Sequence, residues 1–440
     1  MKRYIDKSIK KFLFVGVIAT QLIGCGSDEM CEYDRIGDPI EPCVSFETNN
    51  DSASMTVATC YSRMGTEPVA VIFDTSLNSQ APLGEDWGTT TAATPVPAIH
   101  PVNWTLNDIG QVFGIAIDDQ ENIFLASSDV YYFPSVIASS SSQQAQLFKC
   151  SPPSFNAVPF LTFTGDASPL NDLGNVAYDK VNNQLFVTNL DDGTITRVTG
   201  LGTAAGVVEE TYNPWAADSP GIESQAEQVW GVGVNYEGGS VKVYFPRISS
   251  TERSIYSVTL DASGAFPTTP AVLEITGIPG DQDIISDIAF SSDFKKMLIA
   301  ERGNPHLAKV LSYDLSGTTW NANLQYFVGG NAGRDGENSA GGVDFSASEV
   351  EGNISAECNS LFYVTGNYMF GNAESPGDFM YGIQGIDYNG NNSMSAPFPT
   401  ANQDTDIFID LDGDTAGGQK FEIGDVEVFD ASECIDLCNF

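Results

Sequence analysis

The chain has 440 residues, with 58 Asp and Glu against 19 Lys and Arg, a net charge of −39 at neutral pH. Its length exceeds one simple core, and 42% hydrophobic and 11% aromatic content rule out global disorder, so several domains or one repeat architecture are expected. So negative a chain repels phosphate backbones, which argues against nucleic acid as a ligand, and two histidines in the whole sequence argue against a histidine-rich metal site or a histidine relay.

Residues 1–24 read as a removable leader. A basic stretch, MKRYIDKSIKK, precedes the twelve apolar-rich residues FLFVGVIATQLI, too short to span a bilayer as a mature helix. The following LIGC, Leu22 to Cys25, resembles a bacterial lipobox, which implies cleavage before Cys25 and lipidation of that residue. Acyl chains contribute about 0.8 kcal/mol per buried methylene, so several would anchor the chain firmly to a membrane. Cleavage leaves 14 basic against 57 acidic residues, a net charge of −43. The GSDEM that follows is similar to the surface-export signal of Bacteroidetes lipoproteins, and Gly26 in place of an aspartate does not indicate inner-membrane retention. These features imply an outer-membrane lipoprotein exposed at the cell surface. Residues 25–50, with Pro39 and Pro42, are expected to be an acidic tether, and residues 51–440 the folded domain. Seven further cysteines, Cys31, Cys43, Cys60, Cys150, Cys358, Cys434 and Cys438, have no Cys-x-x-Cys spacing, so structural disulfides are favoured over zinc, with open connectivity.

From residue 105 onward one pattern recurs. Short apolar runs begin at Ile115, Val176, Val232, Ile288, Val343 and Val426, at intervals of 61, 56, 56, 55 and 83 residues. The residue three places on is Asp118, Asp179, Asn235, Ser291 or Ser346 in the first five, a set of turn openers. A second apolar run follows (NIFLAS, QLFVTN, VKVYFP, KMLIAE, SLFYVTG), then a third (TITRVT, SIYSVTLD, KVLSYDLSG) and a looser fourth (AVPFLTFTG, AVLEITGI, LQYFVGG). Outside the leader no helical periodicity is sustained. Four short strands per ~55 residues predict an all-β fold, a β-propeller with four-stranded blades. Six starts predict six blades. The last lies too near the C-terminus to have outer strands of its own, so SMTVATCYS and PVAVIFDTS, residues 54–75, are expected to complete it and close the ring. The 83-residue interval then holds an insertion (372–378 and 389–403), or else a seventh blade. Two β-sandwiches are the alternative, but they leave the regular spacing unexplained.

LFVTNLDDGTITRV resembles the YVTN propeller repeat, and MLIAERGNPHLAKVLSYDLSG resembles the NHL repeat. FEIGDVEVFD is similar to the closing strand of propeller regions in Bacteroidetes surface proteins. The resemblance covers residues 105–430. It implies the fold rather than an activity, because propellers host many unrelated functions.

Candidate chemistry concentrates at the ring axis. Gly114, Asn175, Gly231, Asp287, Gly342 and Asp425 immediately precede the six runs, and Ser127, Asn189 and Glu301 end second strands. Asn175, Asn189, Asp287, Glu301 and Asp425 are therefore expected to converge on one mouth of the central channel. Such oxygen ligands suit calcium. The set resembles the channel metal site of gluconolactonase-like propellers, which implies a metal that polarises a lactone carbonyl. The plainer reading is that these residues cap turns and line a water-filled channel. Asp410, Asp412 and Asp414 in DLDGDTAGG resemble the opening of a calcium loop, but Thr415 and Phe421 stand where an EF-hand needs Gly and Glu. His100 and His306 sit in no Ser or Cys catalytic motif. Tyr131, Tyr132, Trp215 and Trp320 are candidates for stacking on sugars or, more plainly, for packing between blades. The sequence as a whole reads as a lipid-anchored binding or scaffold module for an outer-membrane or secreted protein or a glycan. A calcium-dependent, lactonase-like hydrolase is the alternative.

Overall fold

A computed structural model describes residues 55–62, 65–74, 98–128, 145–163, 172–190, 193–214, 229–248, 252–279, 284–303, 307–329, 337–346, 361–369, 380–388, 407–410 and 423–429. The strands follow the expected repeat. First come β1 (Met55–Cys60), β2 (Ala70–Asp74) and β3 (Ala98–Ile99), and a one-turn helix, α1 (Leu106–Ile109), leads into blade one. Blade one is β4 (Val112–Ile117), β5 (Ile123–Ser127), β6 (Gln146–Cys150) and β7 (Ala157–Thr162); blade two is β8 (Leu173–Asp179), β9 (Gln184–Asn189), β10 (Thr194–Thr199) and β11 (Val207–Tyr212). Blade three is β12 (Gly233–Glu237), β13 (Ser240–Ile248), β14 (Arg253–Thr259) and β15 (Val272–Thr276); blade four is β16 (Ile284–Phe290), β17 (Lys296–Arg302), β18 (Val310–Ser316) and β19 (Thr319–Tyr326). Blade five is β20 (Ser339–Phe345), β21 (Leu361–Met369), β22 (Met380–Asp387) and β23 (Ile407–Asp410). The 83-residue interval is thus one blade; the insertion proposed for 372–378 and 389–403 lies outside the described residues.

Ring closure is as the sequence predicts. β24 (Ile423–Val428) pairs antiparallel with β1, Thr56 facing Val428 and Ala58 facing Val426, and the sixth sheet runs β24-β1-β2-β3. The protein is a six-bladed β-propeller, each blade a four-stranded antiparallel sheet.

The ring forms because no blade can bury its faces alone. Second strands are buried along nearly their whole length, as in QLFVTN of β9, whereas VVEETY of β11 is largely exposed. Each of the six seams between blades holds its own apolar cluster. Ala116, Phe124 and Leu147 of blade one meet Leu173, Val176 and Leu185 of blade two. Tyr244 and Ile255 meet Ile288 and Leu311 across the third seam, and Ala58 and Phe73 meet Tyr363 and Ile383 across the fifth. Sheet stacking on both sides explains why these strands read as continuous apolar runs rather than as strict alternation. Trp320 is buried at the third seam, edge-on to Tyr244 at 6.2 Å and with its Nε1 donating to the Tyr244 hydroxyl, so it packs between blades. Tyr131, Tyr132 and Trp215 lie outside the described residues.

Candidate functional site

The innermost strands β4, β8, β12, β16, β20 and β24 line the axis. The residue just before each apolar run runs around the ring as Gly114, Asn175, Gly231, Asp287, Gly342, Asp425. Polar side chains and glycines alternate. The reason is steric. A Cβ on Gly342 would come 2.5 Å from Val426 N and 2.6 Å from Asp425 Cα, and one on Gly114 would come 2.6 Å from Asn175 Cα. Neighbouring backbones approach so closely here that only every second blade can send a side chain to the centre.

At this level the ladder between first and second strands breaks register, between Val112 and Ile115, Leu173 and Val176, Ile285 and Asp287, and Ser339 and Val343. A bulge frees backbone groups and re-aims them. The freed groups are taken up by side chains. Asn175 Nδ2 donates to Asp287 Oδ1 at 2.7 Å and to Ser286 O at 3.1 Å, and its Oδ1 accepts from Val176 N. Asp287 Oδ1 also accepts from Ile288 N, and Oδ2 accepts from Val343 N of the next blade at 2.8 Å. Asp425 Oδ2 accepts from Ile115 N of blade one at 3.0 Å. Its Oδ1 is buried without a well-formed hydrogen bond, and the Asp287 carboxyl and the Val426 N–H are the neighbours of this carboxyl.

Three threonines on second strands complete the lacing. Thr59, Thr188 and Thr365 accept from the N–H of Asp425, Asn175 and Gly342 on their own inner strands. They donate to Phe113 O, Trp230 O and Gly424 O of the following blades at 2.9, 2.6 and 2.7 Å. Each hydroxyl ties a bulged strand to its neighbour, using both its donor and its acceptor capacity.

On the side where inner strands begin, the axis is capped. Phe113 meets Trp230 edge-on at 4.9 Å, and the Arg302 guanidinium lies 5.4 Å from the Phe113 ring centre while Nη1 donates to Ala340 O and to Ile423 O. On the side where they end, the axis opens into a concave mouth of about 150 Å³ floored by Asp287 and walled by Asp118, Tyr178, Lys180, Tyr236, Asp344 and Glu427 among others. Several of the acidic wall residues have local work. Asp118 accepts from Gln120 N and Asn122 N, and Asp344 holds Phe345 N and, across the seam, Val428 N. Asp119 at the rim is 3.5 Å from Lys180 Nζ.

Burial dominates the electrostatics of the plug. It pushes the Asp287 carboxyl up to about 7, although three N–H groups and Asp425 oppose the shift. Burial, followed by the charge of Asp287, raises Asp425 well above the ordinary carboxyl range. Burial and mutual repulsion thus both disfavour the doubly charged form of the pair.

The five residues expected at one channel mouth therefore divide. Asn175, Asp287 and Asp425 do converge, as a buried, hydrogen-bonded plug rather than an open ring of ligands. Glu301 does not join them. Glu301 is fully buried at the third seam, 2.5 Å from Arg253 Nη2 of β14, and also accepts from Lys309 N. Asn189 is half-buried, and its carbonyl accepts from Gly193 N in the turn to β10. Side chains alternate faces along a strand, so the residues one place earlier, Thr188 and Ala300, are the ones turned differently; the lacing falls to Thr188. Among the described residues no three or more His, Cys, Asp or Glu are grouped to hold a metal ion. Cys25, Asp412, Asp414 and His306 lie outside the described residues, and Asp410 ends β23. Cys150 is a buried free thiol, which burial pushes up, so the expectation of disulfides fails there; Cys60 donates to Pro68 O at 3.4 Å.

No protein-family model and no curated protein matches the chain. Solved structures that align with it include a nidogen–laminin complex (11% identity, covering 84% of this chain and 97% of that one, TM-score 0.42). A gluconolactonase from Xanthomonas campestris aligns at 12% identity over 80% of this chain and 85% of that one, with a TM-score of 0.37. A hypothetical selenium-binding protein from Sulfolobus tokodaii aligns at 10% identity over 86% and 94%, with a TM-score of 0.45. Likenesses this distant say nothing of activity.

The glycine–polar alternation and the threonine lacing are what sequence reasoning missed. Both had a signal: six equivalent positions reading Gly, Asn, Gly, Asp, Gly, Asp, and a Thr one residue before the end of a second strand in VTN and MTVATC.

Proposed function

We propose that the chain is a binding module of the cell envelope, held to the outer membrane through lipid on Cys25, whose open mouth docks a protein or glycan partner at the cell surface. One observation carries this reading: Asn175, Asp287 and Asp425 fill the centre of the axis, and among the described residues it opens into a mouth of only about 150 Å³. Small-molecule and catalytic pockets run from about 300 to 1,000 Å³. A mouth this small suits contact with a projecting loop or a chain terminus of a partner better than enclosure of a substrate. Its wall combines Tyr178 and Tyr236, an aromatic type enriched at interfaces, with the charged residues Asp119, Lys180 and Glu427, which suit a polar rim.

The test begins with gentle detergent extraction of the full chain from its native membrane and identification of what co-purifies. A stoichiometric envelope partner, displaced by Asp119→Lys with Glu427→Lys but not by Glu209→Lys on the outer strand β11, supports the reading. A clean monomer that turns over lactones or esters in the presence of calcium overturns it in favour of the hydrolase.

A further inference from the structure

Blade six is assembled from both ends of the described chain, β24 from the C-terminal end and β1 to β3 from the N-terminal end. Every other blade is built from consecutive strands. The hold on β24 therefore decides whether the ring stays shut. Asp425 sits in the middle of β24 and reaches two ways, to Ile115 N of blade one and to the Asp287 carboxyl of blade four. Asp287 in turn receives Asn175 Nδ2 of blade two and Val343 N of blade five. Five of the six blades thus meet at one carboxyl pair.

The pair is unequal in its donors. Asp287 accepts three well-formed N–H bonds, while Asp425 accepts Ile115 N on Oδ2, has the Val426 N–H only as a looser neighbour, and leaves Oδ1 buried without a well-formed bond. An acceptor buried without a donor is costly, and a proton on Asp425 directed at Asp287 removes that cost. Among the described residues the groups that hydrogen-bond the pair or its backbone are uncharged. From β8 comes Asn175, from β4 a backbone N–H, and from β1 and β21 the hydroxyls of Thr59 and Thr365. On β17 Glu301 is paired with Arg253, and Arg302 is directed to the carbonyls of Ala340 and Ile423. On β20 Asp344 serves Phe345 N and Val428 N, and on β24 Glu427 lines the mouth. From β12, Asn235 Nδ2 turns to Glu237 and Phe294 O. Among the described residues no ion pair involves either carboxyl of the pair, and Asp287 alone of the two lines the mouth, where a departing proton passes to water.

We propose that the Asp287–Asp425 pair is a proton-operated latch on ring closure: the shared proton ties β24 to β16 and β4, and its loss as pH rises loosens the C-terminal strand. The sign follows from linkage. Both groups bind protons more tightly in the folded ring than in the unfolded chain, so the stabilisation is complete below the ordinary value of 3.8 and falls as pH rises through about 7 and on through the higher range of Asp425. Two bare carboxylates would then face each other in a site that excludes water, and repulsion pushes β24 from its place.

Hydrogen exchange on the full chain tests this. After correction for intrinsic exchange, protection of the amides of Asp425 and Val426 is expected to fall at least about tenfold between pH 5 and pH 9, one pKa unit of linkage being a factor of ten. Amides of the β9–β10 hairpin serve as the reference and should hold. Asp425→Asn keeps an acceptor for Ile115 N and a donor toward Asp287 without titrating, and should abolish the fall. An equal fall in Asp425→Asn, or a fall shared by the hairpin, overturns the latch. Should that variant not fold, infrared spectroscopy of the wild type decides: a protonated-acid carbonyl band at pH 6 that vanishes by pH 9 is required, and its absence overturns the proposal.

Discussion

Blades one, three and five bring glycine to the axis; blades two, four and six bring Asn175, Asp287 and Asp425. The blades are alike in strand order and in the way their faces pack, yet at the centre the six-fold pattern drops to three. The difference teaches that repetition along the chain sets the wall of the ring, whereas the space left at its axis sets what the repeats may carry there. Six side chains do not fit, three do, and of those three one is an amide. Three carboxyls in one water-excluding site would repel one another, and Asn175 relieves that while donating to Asp287.

Placing a third acid at the centre should break this arrangement most severely. Asn175→Asp removes the amide donors to Asp287 and Ser286 O and adds like charge, and is expected to cost about 4 kcal/mol at pH 8 but only about half as much at pH 5, where the carboxyls keep their protons. Urea denaturation at the two pH values measures both; an equal loss at each would show that charge is not why an amide stands there. Filling a glycine position comes next. Gly342→Ala drives a Cβ into the backbone of Val426 and Asp425 and should cost about 3 kcal/mol, the upper range for overpacking, whereas Gly202→Ala, which meets nothing within 4 Å, should stay within about 0.5 kcal/mol. Thermal unfolding of the pair separates the steric explanation from a general effect of losing glycine. Cutting one lace is milder. Thr188→Val removes the acceptor for Asn175 N and the donor to Trp230 O and should cost about 2 kcal/mol, partly offset because Asn175 N also reaches Trp230 O at 3.2 Å. A change at the periphery is smallest: Val208→Thr on the exposed β11 should shift stability by less than about 0.5 kcal/mol, and a larger loss would mean that this edge is covered in solution.

How far the site could be read in advance depended on local geometry. Asp118 and Asp179 were legible as turn openers because their partners lie within a few residues, and both do accept N–H groups of the turns that follow them. Asn175, Asp287 and Asp425 were legible as a set because they hold one position in the repeat. Glu301 was placed wrongly because a strand reverses face at every residue and the bulge between Ile285 and Asp287 shifts the count. Arg253, which draws Glu301 to the third seam, lies 48 residues away in another blade, and nothing local announces it.

The order of the apolar runs and their spacing predicted a ring of four-stranded blades, six by the count of starts with a seventh left open, with residues 54–75 to complete the last, because each run needs a neighbour on both faces and a ring supplies one to every blade. Which side chains meet at the axis, which carboxyls become neighbours there, and which mouth stays open were decided only in the assembled ring. Those properties depend on distances between residues that are tens to hundreds of positions apart, such as Ile115 and Asp425, and on water being excluded from the space between them.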